Sequence, residues 1–566
     1  VYVFVSLLWG IYSRSFSGHR WKARPPGAGT GSDRGTDSSR LRSRQALHAV
    51  SLRTLIRALM ALAAFGVLLL PAGPDARDAS ALDFPPAPLL QRGELTFTTV
   101  MPTSLAFGPD GRLYVASQEE IHALTLDPAT KDVLAVEPIA SGLQGVLGIA
   151  FDPTAPASPV VVYASRQDAT ATDGFEGAVS KFTGPAWTQT DVITGLPSSA
   201  PFYNHLTNGL TFDDQGRLFI AQGSSTDTGL AGSNYWPETP LSAAILMADI
   251  HSSGFDGAIT YSPAGSPAND NVDQVGGDVD VYAPGVRNPY DLVIHSNGYI
   301  YATDNGATGV ATSTGCATSG GSTSTSDELN LIEQGNYYGF PNRNRGLGIP
   351  DARQCVYHAP QEGNGVGFTG PINILPSHCS CDGIIEYTSA AFGGALQGNL
   401  MHVEWTFGRI TRTVLAPNGR SVTSTSTLAS ALNQPLDLTQ GADGTIYVAE
   451  FGDGEVTFFA PDSDRDGCHD SRELGPDEML GGRRNPANQW DFYDVTKDGT
   501  VSLLEDIFDV AAAFGSKPGV PSYDPDLDRS AAPAGADPWD MGPPDGTVDL
   551  FVDIFGVAAQ FGHMCV

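Results

Sequence analysis

The 566-residue sequence predicts a mainly β chain: a six-bladed β-propeller over residues 82–461, then a small α-helical calcium-binding module over residues 462–566. Three observations predict it. One hairpin pattern recurs between residues 100 and 460, and a different unit is duplicated near the C-terminus. The composition, with 65 Gly and 40 Pro but only 17% charged residues, suits a turn-rich β protein.

Residues 1–81 read as an N-terminal extension and signal peptide. Arg53 and Arg57 precede an apolar run from Ala58 to Leu70, Pro71 ends it, and Ala79-Ser80-Ala81 offers a small-x-small cleavage site. The run is too short to span a bilayer. The expectation is export to the periplasm, the cell surface or the medium through a signal over about 50–81, with no membrane span in the mature chain. The first methionine is Met60, so residues 1–50 are expected to be an over-extended reading frame.

The propeller rests on four close copies of one hairpin: LAFGPDGRLYVAS from Leu105, LTFDDQGRLFIAQGS from Leu210, LVIHSNGYIYATDNG from Leu292 and LTQGADGTIYVAEFG from Leu438. Gly111, Gly216, Gly298 and Gly444 supply the turns, and three residues on come Tyr114, Phe219, Tyr301 and Tyr447. Glycine admits the positive φ such turns require, while the alternating flanks bury one face. Looser copies start at Leu147 and Leu396. A repeated hairpin of this kind builds propeller blades; a β-sandwich or two stacked domains is the competing arrangement.

After Pro461 acidic loops and helical spacing take over. KDGTVSLLEDIFDVAAAFGS from Lys497 matches PDGTVDLFVDIFGVAAQFGH from Pro544 at 13 of 20 positions, with a period of 47 residues. The duplicated loop-helix unit resembles a type I dockerin, an EF-hand-like fold. Its apolar faces, including Ile507, Phe508, Phe514, Ile554, Phe555 and Phe561, are expected to pack antiparallel on each other, with Cys468 bonded to Cys565 as a clasp. Calcium ligands are expected in three loops. The first has Asp462, Asp464, Asp466 and Glu473 at calcium-loop spacing, with His469 making it thrombospondin-like. The second offers Asp494, Thr496, Asp498, Thr500 and either Glu505 or Asp506. The third offers Asp545, Thr547, Asp549 and Asp553, with Asp540 as a further candidate. The other four cysteines are expected to pair Cys379 and Cys381 with Cys316 and Cys355, since a direct Cys379–Cys381 bridge is short-range and strained.

Charge narrows the partners. Of 31 basic and 63 acidic residues, 11 and 4 fall in residues 1–81, leaving 20 and 59 and a net of −39 beyond. Such a surface repels nucleic acid and anionic membranes and favours hard cations.

RNPYDLVIHSNGYIYATDNG from Arg287, SDELNLIEQGNYYGFPN from Ser326, NHLTNGLTFDDQGRLFIAQGS from Asn204 and IIEYTSAAFGGALQGNLMHVEW from Ile384 resemble the soluble glucose/sorbosone dehydrogenases that use pyrroloquinoline quinone (PQQ). The resemblance covers roughly residues 95–460. It implies His205 as the base that takes a sugar hydroxyl proton and Arg287 as the charge beside the reduced quinone. Asn204 stands where the family has an acidic cofactor neighbour. Asn305, Gly306 and Ala307 match the turn that meets the cofactor and its calcium, with Gly306 and Ala307 as metal ligands. Asp327, Glu328 and Tyr338 match a second, bracing calcium site. The family's cationic clamps from the last two blades are replaced by Thr406, Phe407, Gln434 and Leu436, with Arg409 alone close enough to substitute. Fewer cations imply weak, salt-sensitive cofactor binding.

The function implied is quinone-dependent oxidation of an aldose or related sugar at its anomeric carbon, with an external electron acceptor and a cohesin-like partner for the tail. Two alternatives stand beside it. One is a non-catalytic propeller that binds carbohydrate or protein; the other is a propeller lactonase using metal-activated water.

Overall fold

The structure is a computed structural model and describes residues 89–168, 174–198, 205–229, 236–262, 272–308, 310–311, 320–321, 325–342 and 368–565. The signal peptide, Asn204, Cys316 and Cys355 lie outside the described residues.

Each hairpin copy becomes part of a four-stranded antiparallel sheet, and there are six such sheets among the described residues. Blade one comprises Pro102–Phe107, Leu113–Ser117, Glu120–Leu126 and Val133–Ser141. Blade two comprises Ile149–Ala150, Val161–Gln167, Gly177–Thr183 and Thr188–Leu196. Blade three comprises Thr207–Phe212, Leu218–Gln222, Ala244–Ala248 and Asp280–Pro284. Blade four comprises Pro289–Ile294, Ile300–Asp304, Ser326–Ile332 and Asn373–Ser377, and blade five Cys381–Tyr387, Asn399–Glu404, Arg409–Leu415 and Val422–Ala429. Blade six takes Pro435–Gln440, Ile446–Glu450 and Glu455–Asp462 from the end of the propeller. Its outer strand is Leu89–Thr98, paired antiparallel with Glu455–Asp462. This pairing joins the two ends of the propeller into a ring.

The turn glycines do what their residue type allows: Gly111, Gly216, Gly298 and Gly444 have φ of 78°, 78°, 85° and 91°. The aromatics that follow are all buried. They belong to interblade clusters, and every seam has one, from Tyr114 with Val162 between blades one and two round to Leu95 with Leu105 between six and one. Two carboxylates, buried Asp437 and half-buried Asp291, stitch seams as well. Asp437 accepts from Ser104 Oγ and Leu105 N, and Asp291 accepts from Ile384 N.

The tail is less helical than the sequence predicts. Its helices are Asp470–Glu473, Phe508–Ala512 and Phe555–Ala559, the last two each entered through a π turn, Leu503–Ile507 and Leu550–Ile554. The repeats do pack antiparallel. Val501 N donates to His563 O and Gly562 N to Val501 O at one end; Gly515 N donates to Val548 O and Val548 N to Ser516 O at the other. Cys468 and Cys565 are disulfide-bonded, with Cα atoms 5.1 Å apart across 97 residues.

The packed face differs in part from the expected one: Ile507 and Ile554 pack against the tail core as expected, but the phenylalanines do not. Phe508, Phe514, Phe555 and Phe561 are exposed by 53%, 61%, 54% and 56%. The inward rows are Asp506, Val510, Ala513 and Asp553, Val557, Gln560. The aspartates set this face, because their oxygens must reach loop amides: Asp506 accepts from Val495, Thr496 and Ser502, and Asp553 from Arg529 and Asp549. Turning those carboxylates inward turns the phenylalanines out.

The cysteine expectation is also corrected. Cys379 and Cys381 are bonded to each other, with Cα atoms 5.2 Å apart. His378 and Ser380 take left-handed φ of 52° and 47°, which folds the segment tightly enough for the two side chains to meet.

Candidate active site

In an antiparallel hairpin the entry to the first strand lies beside the exit of the second. Thr207 pairs with Gln222, Pro289 with Asp304, Cys381 with Glu404 and Pro435 with Glu450. Residues just before the first strands and just after the second strands of successive blades therefore share one rim, and most of the predicted residues sit there.

His205 enters blade three and is buried, at 4% exposure. Its Nδ1 lies 3.1 Å from Ser224 O and 2.8 Å from Ser224 Oγ. The Ser224 hydroxyl donates to Thr226 O at 2.6 Å, so Oγ, like the carbonyl, can only accept from the histidine. Nδ1 therefore carries the proton, and the ring lone pair is on Nε2. Burial first, and then the Arg287 charge, push the imidazole well below its usual pKa, so it is neutral at pH 7.

Arg287 enters blade four beside this group: Ser224 N donates to Arg287 O at 2.8 Å. Each nitrogen of its guanidinium has a partner. Nη2 pairs with Asp227 Oδ1 at 2.6 Å, Nε donates to Asp227 O at 3.0 Å, and Nη1 donates to Asn305 O at 2.8 Å. Asp304 accepts from the backbone N–H of Arg287 and Asn288, and burial raises it to about 7.

The turn Asn305-Gly306-Ala307 is held from below. Gly306 N donates to Asp327 Oδ1 and Ala307 N to Thr325 Oγ1, while Asn305 Nδ2 donates to Asp382 Oδ1. Asn305 Oδ1 and Asp382 Oδ2 are buried with no hydrogen-bond partner.

The bracing set does not gather. Asp327 serves Gly306 N and Cys381 N, whereas Glu328, its neighbour on the strand, accepts from Asn330 and faces Asp304. The Tyr338 hydroxyl donates to Leu331 O. Arg409 does not join the rim group either. It lies opposite Glu404 in the hairpin register, pairs with it at 2.7 Å and covers the Phe407 ring.

Sequence reasoning missed Ser224, which ends the quoted stretch from Asn204 but was given no role, and Asp227 and Asp382, which lie outside every quoted motif. It also missed Asp528. In the second tail repeat Asp528 accepts from Asp545 N and Gly546 N, as Asp494 accepts from Lys497 N and Gly499 N in the first. A long insertion separates it from the loop it serves. Asp498, Asp545 and Asp549 cap nearby backbone amides, as does Ser502.

The model of the Glucose / Sorbosone dehydrogenase family matches residues 99–457, all of blades one to five and most of blade six but not its closing strand Leu89–Thr98. The chain belongs to that family. Quinoprotein glucose dehydrogenase B of Acinetobacter calcoaceticus is 25% identical over 259 residues, covering 43% of this chain and 50% of that protein. The chain thus spans about half the length of this curated relative. Among solved structures, a putative glucose dehydrogenase from Thermus thermophilus is 21% identical with a TM-score of 0.46, covering 65% of this chain and 99% of that one. The PQQ-bound aldose sugar dehydrogenase of Streptomyces coelicolor is 20% identical with a TM-score of 0.44, covering 66% and 99%. Within this family of sugar oxidoreductases, no helix among the described residues of this chain is long and apolar enough to cross a membrane.

Proposed function

We propose that this chain is a quinone-dependent dehydrogenase that oxidises an aldose or related sugar at its anomeric hydroxyl, with His205 as the base. The observation that carries the reading is the fixed tautomer of His205: Nδ1–H is spent on Ser224, which leaves a basic Nε2 on a neutral ring. Nε2 takes the hydroxyl proton, and the resulting imidazolium is stabilised through Ser224 O. Arg287 fixes the Asn305 carbonyl and so the turn behind it. PQQ, when bound, supplies the hydride acceptor, and the electrons pass on to an external acceptor.

The fit to that cofactor is uneven. The reactive end fits: Asn305 Oδ1 and Asp382 Oδ2 are buried, partnerless oxygens suited to a hard cation such as calcium. The carboxylate end does not, because Arg287 is neutralised by Asp227 and Arg409 by Glu404. Binding through so few charges is weak and salt-sensitive. Family membership and the quinoprotein relative support the reading; the two neutralised arginines are what favours a non-catalytic sugar-binding propeller instead. Export through the 50–81 segment and a cohesin-like partner for the tail belong to the same proposal, the latter supported by exposed apolar pairs at repeat-equivalent positions, such as Phe508 with Phe555. The experiment is dye reduction by protein supplied with calcium and PQQ, with and without an aldose. Aldose-dependent reduction supports the enzyme; sugar binding without it supports the binding module.

A further inference from the structure

Where blade six hands over to the tail, carboxylates are buried together and left without partners. Asp462 is the last residue of the Glu455–Asp462 strand, in register with Leu89 of the closing strand. Its two oxygens accept from Arg465 N and Gly467 N and shape the loop that follows. On that loop, Asp464 Oδ1 accepts from Asp466 N and Asp466 Oδ1 from Cys468 N, but Asp464 Oδ2 and Asp466 Oδ2 are buried with no partner. Glu473 is 0% exposed and neither of its oxygens has a partner. Asp491, also 0% exposed, reaches in from well beyond the loop. Its Oδ2 accepts from Asn485 N and its Oδ1 is unpartnered.

Ligand oxygens of Asp462, Asp464 and Asp466 lie within 4.8 Å of one another, as do those of Asp466, Glu473 and Asp491. No ion pair reaches these groups among the described residues. The nearby buried cation, Arg484, donates instead to the carbonyls of Asp491, Glu478 and Gly482, to Gln560 and to His563. Buried carboxylates without a cation or donors are costly, so this arrangement calls for a charge to fill it. The two repeat loops differ: Asp494, Asp506, Asp528 and Asp553 accept from backbone amides and leave no buried carboxylate oxygen without a partner.

We propose that this junction is a built divalent-cation site of the calcium class, centred on Asp466, Glu473 and Asp491 with Asp464 beside them, which ties the first loop and helix of the tail to its Asp491 segment next to the closing blade. Four carboxylates, with Glu473 able to present both oxygens, match a large hard cation that takes six to eight oxygens better than one demanding a strict octahedron. The ordered segment in turn meets the propeller: Arg472, next to Glu473, donates through Nη2 to Thr130 O, and Gln91 Nε2 donates to Cys565 O. Asp491 distinguishes the site from a self-contained calcium loop, since it ties a second tail segment to the same ion.

Terbium is a usable probe, because Trp490 and Asp464 line one cleft and the indole can sensitise the ion. Chelator-stripped full-length protein should show tryptophan-sensitised terbium emission that calcium displaces. Asp491→Asn should weaken it at least about tenfold, as loss of one anionic ligand does. The melting temperature should fall by roughly 5 °C or more on adding chelator to the wild type, and by less in Asp491→Asn. Asp494→Asn and Asp528→Asn should keep the displaceable emission. Unchanged affinity in Asp491→Asn overturns the proposal, as does a wild-type melt indifferent to chelator, the result a cluster of protonated carboxyls gives. If Glu473→Gln fails to fold, the wild-type and Asp491→Asn arms still decide.

Discussion

Blades three and four and blades five and six present the same structural positions to one rim, yet they use them differently. On the first pair, His205, Ser224, Arg287 and Asn305 are linked in a continuous hydrogen-bonded group that fixes a tautomer and a turn. On the second pair, Arg409 is paired across its own hairpin with Glu404, and Gln434 and Leu436 offer no charge. On the proposed function, the difference makes proton chemistry and cofactor affinity separable: His205 would serve as the base, while the arginines that could grip an anionic ligand are paired with carboxylates.

The largest effect expected from breaking this contrast is at the base. His205→Gln should lower dye-linked turnover by about a hundredfold or more while leaving quinone affinity nearly unchanged. Equal turnover in a titration-matched comparison would remove the assignment of the base to blade three. Next comes the clamp. Glu404→Gln frees Arg409 and should tighten PQQ binding by roughly tenfold, with a steeper salt dependence, as one recovered charge-assisted contact allows. An unchanged dissociation constant would show that Arg409 lies out of the ligand's reach.

The smallest effect is on pH. Burial depresses the folded-state pKa of His205 below 6.5, so the unfolded chain takes up that proton first. The stability contribution is therefore present above pH 6.5 and is lost as pH falls from there towards the folded value. For the same reason the base should stay competent at pH 6, with the acid limb of kcat/KM lying below 6.5; a limb at or above 6.5 would mean an exposed, ordinary imidazole.

How far this was legible in sequence follows from how local each signal is. The blades were legible because a turn glycine and a buried aromatic three residues later sit within one hairpin, as Gly298 and Tyr301 do. The closing strand Leu89–Thr98 was not, because its partner lies at the far end of the propeller and its own residues do not alternate cleanly. His205 and Arg287 were legible through family resemblance, whereas Asp227 and Ser224 matter only through three-dimensional contacts to those two. In the tail the Cys468–Cys565 clasp followed from repeat symmetry, but the buried face did not. Hydrophobic periodicity favours the phenylalanines, and only the structure shows that Asp506 and Asp553 claim the inward position. The Cys379–Cys381 bond depended on a left-handed Ser380, which residue type does not announce.

The most direct test of the account is a titration of PQQ into calcium-loaded full-length protein, read as aldose-dependent dye reduction at low and at high salt. The account predicts reduction that saturates with quinone, and an apparent affinity that weakens severalfold as salt rises from about 0.05 to 0.5 M. Absence of aldose-dependent reduction at every quinone concentration, in protein whose circular dichroism shows an intact β fold, would contradict it.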